Sequence, residues 1–164
     1  MIIKIRSVSK FTKKLERHGD WIDLPFCGIL KYPCPSIPLK DYYQIHIDSK
    51  GKKWYSFGLN DWCILSLGIA AKLPEGYEAH LLPRSSLFLK HGILVGNSMG
   101  IIDNNYCGNN DVWGLVCYFT QPTRLFLGER IAQFRIVKSM GSVNIKMVDN
   151  LETKDRGGFG STGE

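Results

Sequence analysis

The sequence predicts an all-β fold, either a sandwich or a barrel, and three observations support this prediction. Helical periodicity is nearly absent along the 164 residues. Short alternating or apolar runs recur instead, and turn signals such as DSKG, LPEG and QPT separate them. Many short strands at this spacing are typical of sandwiches and barrels. The length suits one domain with a hydrophobic core rather than two.

Nine stretches carry the strand pattern, as apolar runs or as period-two alternation. In chain order they are IIKI (2–5), YQIHI (43–47), KWYSF (53–57), CILSLGIAAKL (63–73), YEAHLL (77–82), GILVGN (92–97), VWGLVCYF (112–119), RIAQFRIV (130–137) and SVNIKMV (142–148).

Two segments between the strands have a different pattern. RSSLFLKHG (84–92) predicts a short helix, because Ser85 or Ser86 can cap its start and Gly92 can end it. The stretch 25–38 contains four prolines, which indicate an irregular arm or an edge segment.

Composition and charge indicate a soluble globular protein. Hydrophobic residues make up 44% of the chain and charged residues 22%, both ordinary values. No apolar run could span a bilayer and the start lacks a signal-peptide layout, so we expect a cytoplasmic protein without a membrane partner. The net charge of +6 favours anionic partners, but its scatter argues against specific nucleic-acid binding. The five cysteines form no C-x-x-C pair, which favours reduced thiols over a zinc site or a disulfide scaffold.

Two segments carry groups that suit a phosphate chain. PRSS (83–86) offers the guanidinium of Arg84 and the hydroxyls of Ser85 and Ser86. RGGFGSTG (156–163) combines an arginine and two hydroxyls with glycines that let the backbone approach an anion. Taken alone, the first segment favours a helix cap beside a surface arginine, and the second favours a frayed terminus.

The stretch GIIDNNYCG (100–108) places a carboxylate and an aromatic ring after an apolar run. If residues 92–108 form a strand–turn–strand hairpin, its backbone can read the edge of a flat polar ligand. Tyr106 then offers a flat face, and Asp103 can accept a proton from water. The alternative is a tight turn on the two asparagines, with a capping aspartate and a buried tyrosine.

Two further stretches carry weaker signals. GDWIDL (19–24) can place Asp23 near a hydrated metal, or it is a charged strand end. GERIAQ (128–133) can direct Gln133 inward, or it is an edge strand. The four histidines show no ligand spacing and are interpreted as structural or surface residues.

These five stretches, in this order, resemble the five motifs of the trimeric dUTPases (dUTP diphosphatases). The matching motifs are WIDL, PRSSL, GIIDNNYCG, GERIAQ and RGGFGSTG. The resemblance runs from about residue 19 to the end. Within the family, the sequence is similar to the branch found in Bacillus and its phages. It implies a distorted jelly-roll β-barrel and a homotrimer whose active sites lie between subunits. Residues 1–149 would form the β domain, and residues 150–164 a flexible arm that closes over a site.

The resemblance also implies a reaction, the hydrolysis of dUTP to dUMP and pyrophosphate with Mg²⁺. This reaction keeps uracil out of DNA and supplies dUMP for thymidylate synthesis. Asp103 would activate the attacking water, and Tyr106 would pack against the deoxyribose. The backbone from Asn97 to Ile102, Gly100 included, would read uracil. Asp23 would bind metal-coordinated water.

The resemblance assigns the remaining groups to the triphosphate and to the lid. The phosphates would be held by Arg84, Ser85, Ser86 and Gln133. The arm would contribute Arg156, Ser161 and Thr162 over the γ-phosphate and Phe159 over the uracil ring, with Gly160 as a further substrate-binding residue. The spacing between Arg156 and GGFG is two residues shorter than the usual fifth motif, so Lys154 is a second candidate for the γ-phosphate.

The sequence is also compatible with two other functions. A dCTP deaminase shares the fold and an RSS stretch, although no convincing match to the glutamate of that family is present. A dUTPase with an added regulatory role, binding a host repressor protein, fits a phage-encoded chain.

Overall fold

Strands make up most of the secondary structure in the computed structural model, which describes residues 1–34, 36–155 and 157. The strands are β1 (Lys4–Ser7), β2 (Arg17–His18), β3 (Trp21–Pro25), β4 (Gly28–Lys31), β5 (Ile45–Ile47), β6 (Lys53–Phe57), β7 (Trp62–Ser66), β8 (Ile69–Lys72), β9 (Tyr77–Pro83), β10 (Ile93–Val95), β11 (Gly100–Ile102), β12 (Gly114–Phe119), β13 (Thr123–Phe126) and β14 (Arg130–Lys138). The helical elements are α1 (Leu39–Tyr42), α2 (Ser86–His91) and a 3-10 turn at Lys10–Thr12. The prediction of an all-β fold is confirmed. Within the described ranges, no helix is long and apolar enough to cross a membrane.

The strands form four antiparallel sheets. Their strand orders are β1-β8, β10-β12-β7-β4, β11-β9-β14-β3-β2 and β13-β6-β5. A closed barrel requires hydrogen bonds between the two edge strands of one sheet. Among the described strands each sheet keeps its two edges, so the predicted barrel closure is not found.

The five-stranded sheet carries four predicted site residues, Asp23, Gly100, Ile102 and Gln133, and β14 is its central strand. β14 pairs with β9 along one side and with β3 along the other. Leu24, Leu81 and Phe134 lie on these three strands and are almost completely buried. Because successive strand residues point to opposite faces, Asp23 and Gln133 leave the sheet on the other face.

Aromatic rings fill much of the core behind this sheet. Phe57 and Phe119 stack with their ring centroids 4.2 Å apart. Trp113 meets Phe134 edge-on at 5.0 Å. Offset-stacked and edge-on rings are the arrangements that aromatic quadrupoles prefer, so the sheet rests on a well-packed support.

The predicted helix is present as α2 and its predicted end at Gly92 is confirmed, but the predicted serine cap is not found. Ser85 occupies the position before the helix but makes no capping hydrogen bond through its side chain. Gly92 ends the helix in the left-handed conformation, with φ of 62°. A Cβ at this position would meet the side chain of Gln121 at 2.5 Å, so glycine is required for space as well as for backbone conformation.

The proline-rich stretch is also largely as predicted. It includes β4, which lies at the edge of the four-stranded sheet. β4 itself contains no proline: Pro25 ends β3, Pro33 lies outside any strand, and Pro38 precedes α1.

The strand predicted at 142–148 is wrong. Residues 140–155 are exposed, and in the described part of the chain the last strand ends at Lys138. Val143, Ile145 and Met147 alternate as a strand requires, yet all three are more than half exposed. A stable strand requires a partner strand. The alternation of apolar residues does not show whether the chain contains such a partner. The division into a domain of residues 1–149 and an arm of residues 150–164 stays a prediction.

A hydrogen-bonded pair ties the end of α2 to the turn before β14. The Nε2 atom of His91 lies 2.9 Å from Oε1 of Glu129, and its Nδ1 atom lies 3.3 Å from the hydroxyl of Thr123. The other carboxylate oxygen of Glu129 accepts from the backbone N–H of Phe126. This pair therefore links the helix that follows Arg84 to the turn that precedes Arg130.

Replacing Glu129 by Gln is expected to lower the melting temperature at pH 7 and to lose most of this effect in acid. The hydrogen bond from His91 is the main cause that lowers the pKa of Glu129 below its ordinary value of 4.5. A carboxylate whose pKa is lowered by folding adds stability above its unfolded-state pKa. That contribution is lost as the pH falls through the folded-state value. Thermal unfolding followed by circular dichroism from pH 7 down to pH 3 tests this expectation.

The matched control for this experiment is Glu75→Gln, because Glu75 is exposed. Equal shifts for the two variants at pH 7 would contradict the prediction. A Glu129→Gln shift that stays constant into acid would contradict it as well.

Candidate active site

Asp23 is the centre of a charged cluster on β3. Its side chain is only 5% exposed, and its Oδ2 atom forms an ion pair with Arg84. The same oxygen lies 3.3 Å from Nη1 of Arg130 and 3.6 Å from Nε2 of His18. Burying a carboxylate is unfavourable unless cations and hydrogen bonds replace its water. The two guanidiniums supply this replacement.

Arg84 follows the end of β9, where several contacts hold the turn in place. Its backbone N–H donates to the carbonyl of Ile131 (3.0 Å). The side-chain amide of Gln133 donates to the carbonyl of Pro83 (3.2 Å). Burial and the neighbouring charge of Arg130 lower the pKa of Arg84 from its ordinary value, although the group remains a cation at neutral pH. Gln133 therefore contacts the turn that carries Arg84.

Ser85 and Ser86, which carry hydroxyl groups, directly follow Arg84 in the sequence. Ser85 is exposed and Ser86 is half-buried at the first position of α2. A guanidinium with adjacent hydroxyl donors can bind a phosphate through several hydrogen bonds. The structure thus brings four predicted residues to one end of the sheet: Asp23, Arg84, Ser86 and Gln133.

The hairpin predicted for residues 92–108 is wrong. β10 pairs with β12 in one sheet, whereas β11 pairs with β9 in another. The connecting turn is tight, with hydrogen bonds from Ser98 N–H to Val95 O (3.0 Å) and from Met99 N–H to Asn97 O (2.6 Å). Each strand finds a partner elsewhere in the chain, so the turn crosses between two sheets.

β11 is the edge strand of the five-stranded sheet. An edge strand has a row of backbone N–H and C=O groups that no neighbouring strand uses. Gly100 faces Leu81 of β9 closely, since a Cβ there would lie 3.2 Å from the Cβ of Leu81. The backbone around Gly100 and Ile102 can therefore present donors and acceptors to a flat ligand.

Asp103 follows β11 and fixes the next turn with one of its two oxygens. Oδ1 accepts hydrogen bonds from the backbone N–H of Asn105 (2.7 Å) and of Tyr106 (3.2 Å). In the described part of the chain, Oδ2 has no hydrogen-bond partner, and the side chain is exposed. Tyr106 is 42% exposed, so the alternative of a buried tyrosine is wrong. The capping carboxylate is confirmed, and it leaves one oxygen free to bind water.

Within one chain, Asp103 and Arg84 are far apart in space. Ile102, which precedes Asp103, pairs with Ala79, whereas Pro83, which precedes Arg84, is four residues further along β9. A strand rises about 3.4 Å per residue, so roughly 14 Å of strand separates these two levels. The chain then leaves the two strands in opposite directions, since β11 and β9 are antiparallel.

The predicted arm residues lie outside the described residues: Arg156, Phe159, Gly160, Ser161 and Thr162.

Three residues of the cluster have no site role predicted from the sequence: Glu16, His18 and Arg130. Arg130 stands inside GERIAQ, but a β-bulge between Arg130 and Ala132 sets its direction. Sequence alternation does not reveal a bulge. Glu16 and His18 precede the quoted GDWIDL stretch, and no spacing rule connects them to it.

Comparison with known proteins identifies relatives of this chain. A family model described as dUTPase matches residues 50–163. The chain is 44% identical over 165 residues to the SPbeta prophage-derived deoxyuridine 5'-triphosphate nucleotidohydrolase YosS of Bacillus subtilis strain 168, covering 99% of each chain. It is 46% identical over 102 residues to a deoxyuridine 5'-triphosphate nucleotidohydrolase of Hydrogenobaculum sp. strain Y04AAS1, covering 61% of this chain and 69% of that protein.

Two solved structures share the fold. The dUTPase of Staphylococcus bacteriophage 80alpha with dUPNHPP has a TM-score of 0.68 at 19% identity, covering 99% of each chain. A dUTPase from Streptococcus mutans has a TM-score of 0.63 at 17% identity, covering 85% of this chain and 98% of that chain. Together with the family-model match and the near full-length Bacillus relative, the motif order has one consistent explanation. The chain belongs to the dUTPase family.

Proposed function

We propose that this chain hydrolyses dUTP to dUMP and pyrophosphate. Family membership and a near full-length relative named as a deoxyuridine triphosphate nucleotidohydrolase support the reaction. The structural observation that best supports this reaction is the geometry of the Asp103 carboxylate. Two backbone N–H groups orient one of its oxygens, and the second oxygen is free. Such a carboxylate can hold a water molecule in a fixed position and accept its proton as the water attacks phosphorus.

The nucleoside would bind along the edge of the sheet next to this carboxylate. Backbone groups on the open edge of β11, in the segment from Asn97 to Ile102 that includes Gly100, can match the donor and acceptor pattern of uracil. The exposed ring of Tyr106 can pack against the deoxyribose and exclude a 2′-hydroxyl. A site that pairs polar base edges rejects a wrong base because buried groups then remain unpaired.

The phosphates would bind at the cluster around Arg84, with Ser85, Ser86 and Gln133 as further donors. The donor set is compatible with Mg²⁺ held mainly by the triphosphate. In the described residues no group of three or more His, Cys, Asp or Glu side chains could hold a metal ion. Oδ1 of Asp23 is free of the ion pairs that engage Oδ2, so it can accept from a metal-bound water. When bound, the ion would offset negative charge on the phosphate oxygens.

The site would be shared between chains of a homotrimer with the distorted jelly-roll fold. The water on Asp103 must come within about 3 to 3.5 Å of phosphorus. The separation of Asp103 from Arg84 along one chain supports a site in which one subunit supplies the base and another the phosphate-binding residues. The exposed alternating residues Val143, Ile145 and Met147 support the same assembly, since a neighbouring subunit can cover them.

The arm would complete the site. Arg156, Ser161 and Thr162 would then contact the γ-phosphate, Phe159 would cover the uracil ring, and Gly160 would be a further substrate-binding residue. Closure of such a segment excludes water and positions the triphosphate for attack.

The nucleotide preference is the first test of the proposal. We expect strong preference for dUTP, with kcat/KM at least ~10²-fold above that for dTTP, dCTP or UTP, because each competitor adds a group or changes a polar edge. Pyrophosphate release measured with Mg²⁺ across the four nucleotides checks this. Comparable kcat/KM values for dUTP and dTTP would contradict it, and uracil nucleotide formed from dCTP would indicate deamination instead.

Replacing Asp103 by Asn is expected to reduce kcat by ~10²–10⁴, the usual range for loss of a general base. The amide oxygen of Asn can still accept from Asn105 and Tyr106, so the turn should persist. Single-turnover and steady-state rates with dUTP measure the loss. Asp111→Asn is the matched control, since Asp111 caps a neighbouring turn through Gly108 N–H. If Asp103→Asn turns over at the same rate as the Asp111→Asn control, Asp103 is structural.

Mixing two inactive variants tests whether the site is shared. Asp103→Asn lacks the base and Arg84→Gln lacks the phosphate-binding guanidinium, so each homotrimer should be nearly inactive. In a mixed trimer of either composition, one site in about three combines an intact base with an intact arginine from the adjacent chain, as cyclic symmetry requires. Co-refolding followed by a dUTP assay should therefore restore activity.

The control mixture pairs Arg84→Gln with a chain that carries both changes. No arrangement of that mixture has an intact site, so its activity should remain at the level of the parents. Size-exclusion chromatography of differently tagged chains confirms that mixed trimers have formed. Mixed trimers of the first pair that remain as inactive as this control would place base and arginine in one chain.

A further inference from the structure

Arg130 stands in the charged cluster but has no role in the site proposed above. It begins β14 opposite Pro25, at the bulge that shifts the register before Ala132. Bulges add a residue to one strand and redirect its side chains. Here the guanidinium of Arg130 is directed to the same carboxylate oxygen that Arg84 contacts.

The contacts of Arg130 make it a bridge between two carboxylates. Its Nη1 atom donates to Oε2 of Glu16 and lies 3.3 Å from Oδ2 of Asp23. Nε2 of His18 lies 3.2 Å from the same nitrogen. Backbone pairing holds Glu16 in place, since its carbonyl accepts from the N–H of Asp23 (2.9 Å).

We propose that Arg130, anchored by Glu16, is a positioning residue that holds the Asp23 carboxylate so that Arg84 is directed to the phosphates of the substrate. The inference rests on the proposed function, because it assigns the phosphates to Arg84. Arg130 acts through Asp23 and does not itself contact the reacting atoms.

Two physical arguments support this role. First, Arg84 must interact with both Asp23 and an incoming phosphate. Arg130 also pairs with the Asp23 carboxylate, so Arg84 is not its only cationic partner. Secondly, the charges of Asp23, Glu16, Arg84 and Arg130 sum to zero. Loss of Arg130 would leave a net negative charge beside the site for a polyanion, and repulsion over a few ångströms is substantial in a partly buried cluster.

A double-mutant cycle separates this role from direct phosphate binding. We expect Arg130→Met to lower kcat/KM for dUTP about tenfold, with the larger part in KM, because the phosphates lose a correctly directed partner. In a chain that already carries Asp23→Asn, Arg130 has no carboxylate to position, so the same change should cost at least fivefold less. The assays are run near 0.15 M salt, where long-range charge effects are screened beyond about 8 Å.

Conservative variants refine the test. Arg130→Lys keeps the charge but cannot bridge two carboxylates with a planar fork, so it should recover only part of the loss. Glu16→Gln should produce a smaller increase in KM and no further loss when combined with Arg130→Met. Arg124→Met is the matched control: this exposed arginine lies on β13, over the rings of Trp54 and Phe126, and its variant should stay within twofold of the parent.

The outcomes are distinct. The proposal would be overturned if Arg130→Met lowered kcat/KM equally in the parent chain and in the Asp23→Asn chain. That result would indicate direct contact with the phosphates or a general effect on folding. Melting temperatures and trimer elution of each variant identify the second of these. Failure of the unmodified chain to hydrolyse dUTP would refute the proposed function itself, whatever Arg130 does.

Discussion

The buried carboxylate of Asp23 constrains the whole phosphate side of the candidate site. A carboxylate that is 5% exposed must be compensated by cations, and two separate parts of the chain deliver them. The turn after β9 supplies Arg84, and the bulge in β14 supplies Arg130. β14 also holds this turn, because the carbonyl of Ile131 accepts from the backbone N–H of Arg84 and the amide of Gln133 donates to Pro83. The orientation of the predicted phosphate ligands therefore follows from one ion cluster on one sheet.

Local features of the fold could be predicted from the sequence, whereas its strand pairing could not. KWYSF forms β6 with the bounds that its alternation indicates, and Gly92 ends α2 where a left-handed residue is needed. These signals are local, because alternation and helix caps depend on a few adjacent residues. SVNIKMV shows the same alternation without a partner strand in the described chain, and β10 and β11 pair with distant strands instead of each other. Pairing depends on tertiary packing that a short window does not contain.

The same distinction applies to the candidate site. Asp103 and Tyr106 lie in one turn, so their proximity could be predicted from their spacing, and the structure places both on the surface. Motif order could also place Asp23, Arg84 and Gln133 in one group, because the family resemblance carries tertiary information. Glu16 and Arg130 are different. Their positions next to Asp23 depend on a bulge and on a backbone hydrogen bond. Neither feature can be recognised from the residue pattern.

The distribution of these groups along the sheet has a consequence for how activity depends on assembly. An isolated chain contains both the carboxylate of Asp103 and the guanidinium of Arg84, yet roughly 14 Å of strand lies between their levels. Flexing of a packed antiparallel sheet cannot close such a gap, because the register of β11 against β9 is fixed by backbone hydrogen bonds. If the two groups act on one phosphorus atom, assembly creates the site rather than merely stabilising it. Turnover per chain would then fall on dilution with the fraction of assembled chains, following mass action. Folding of the single chain would be a necessary but insufficient condition for catalysis.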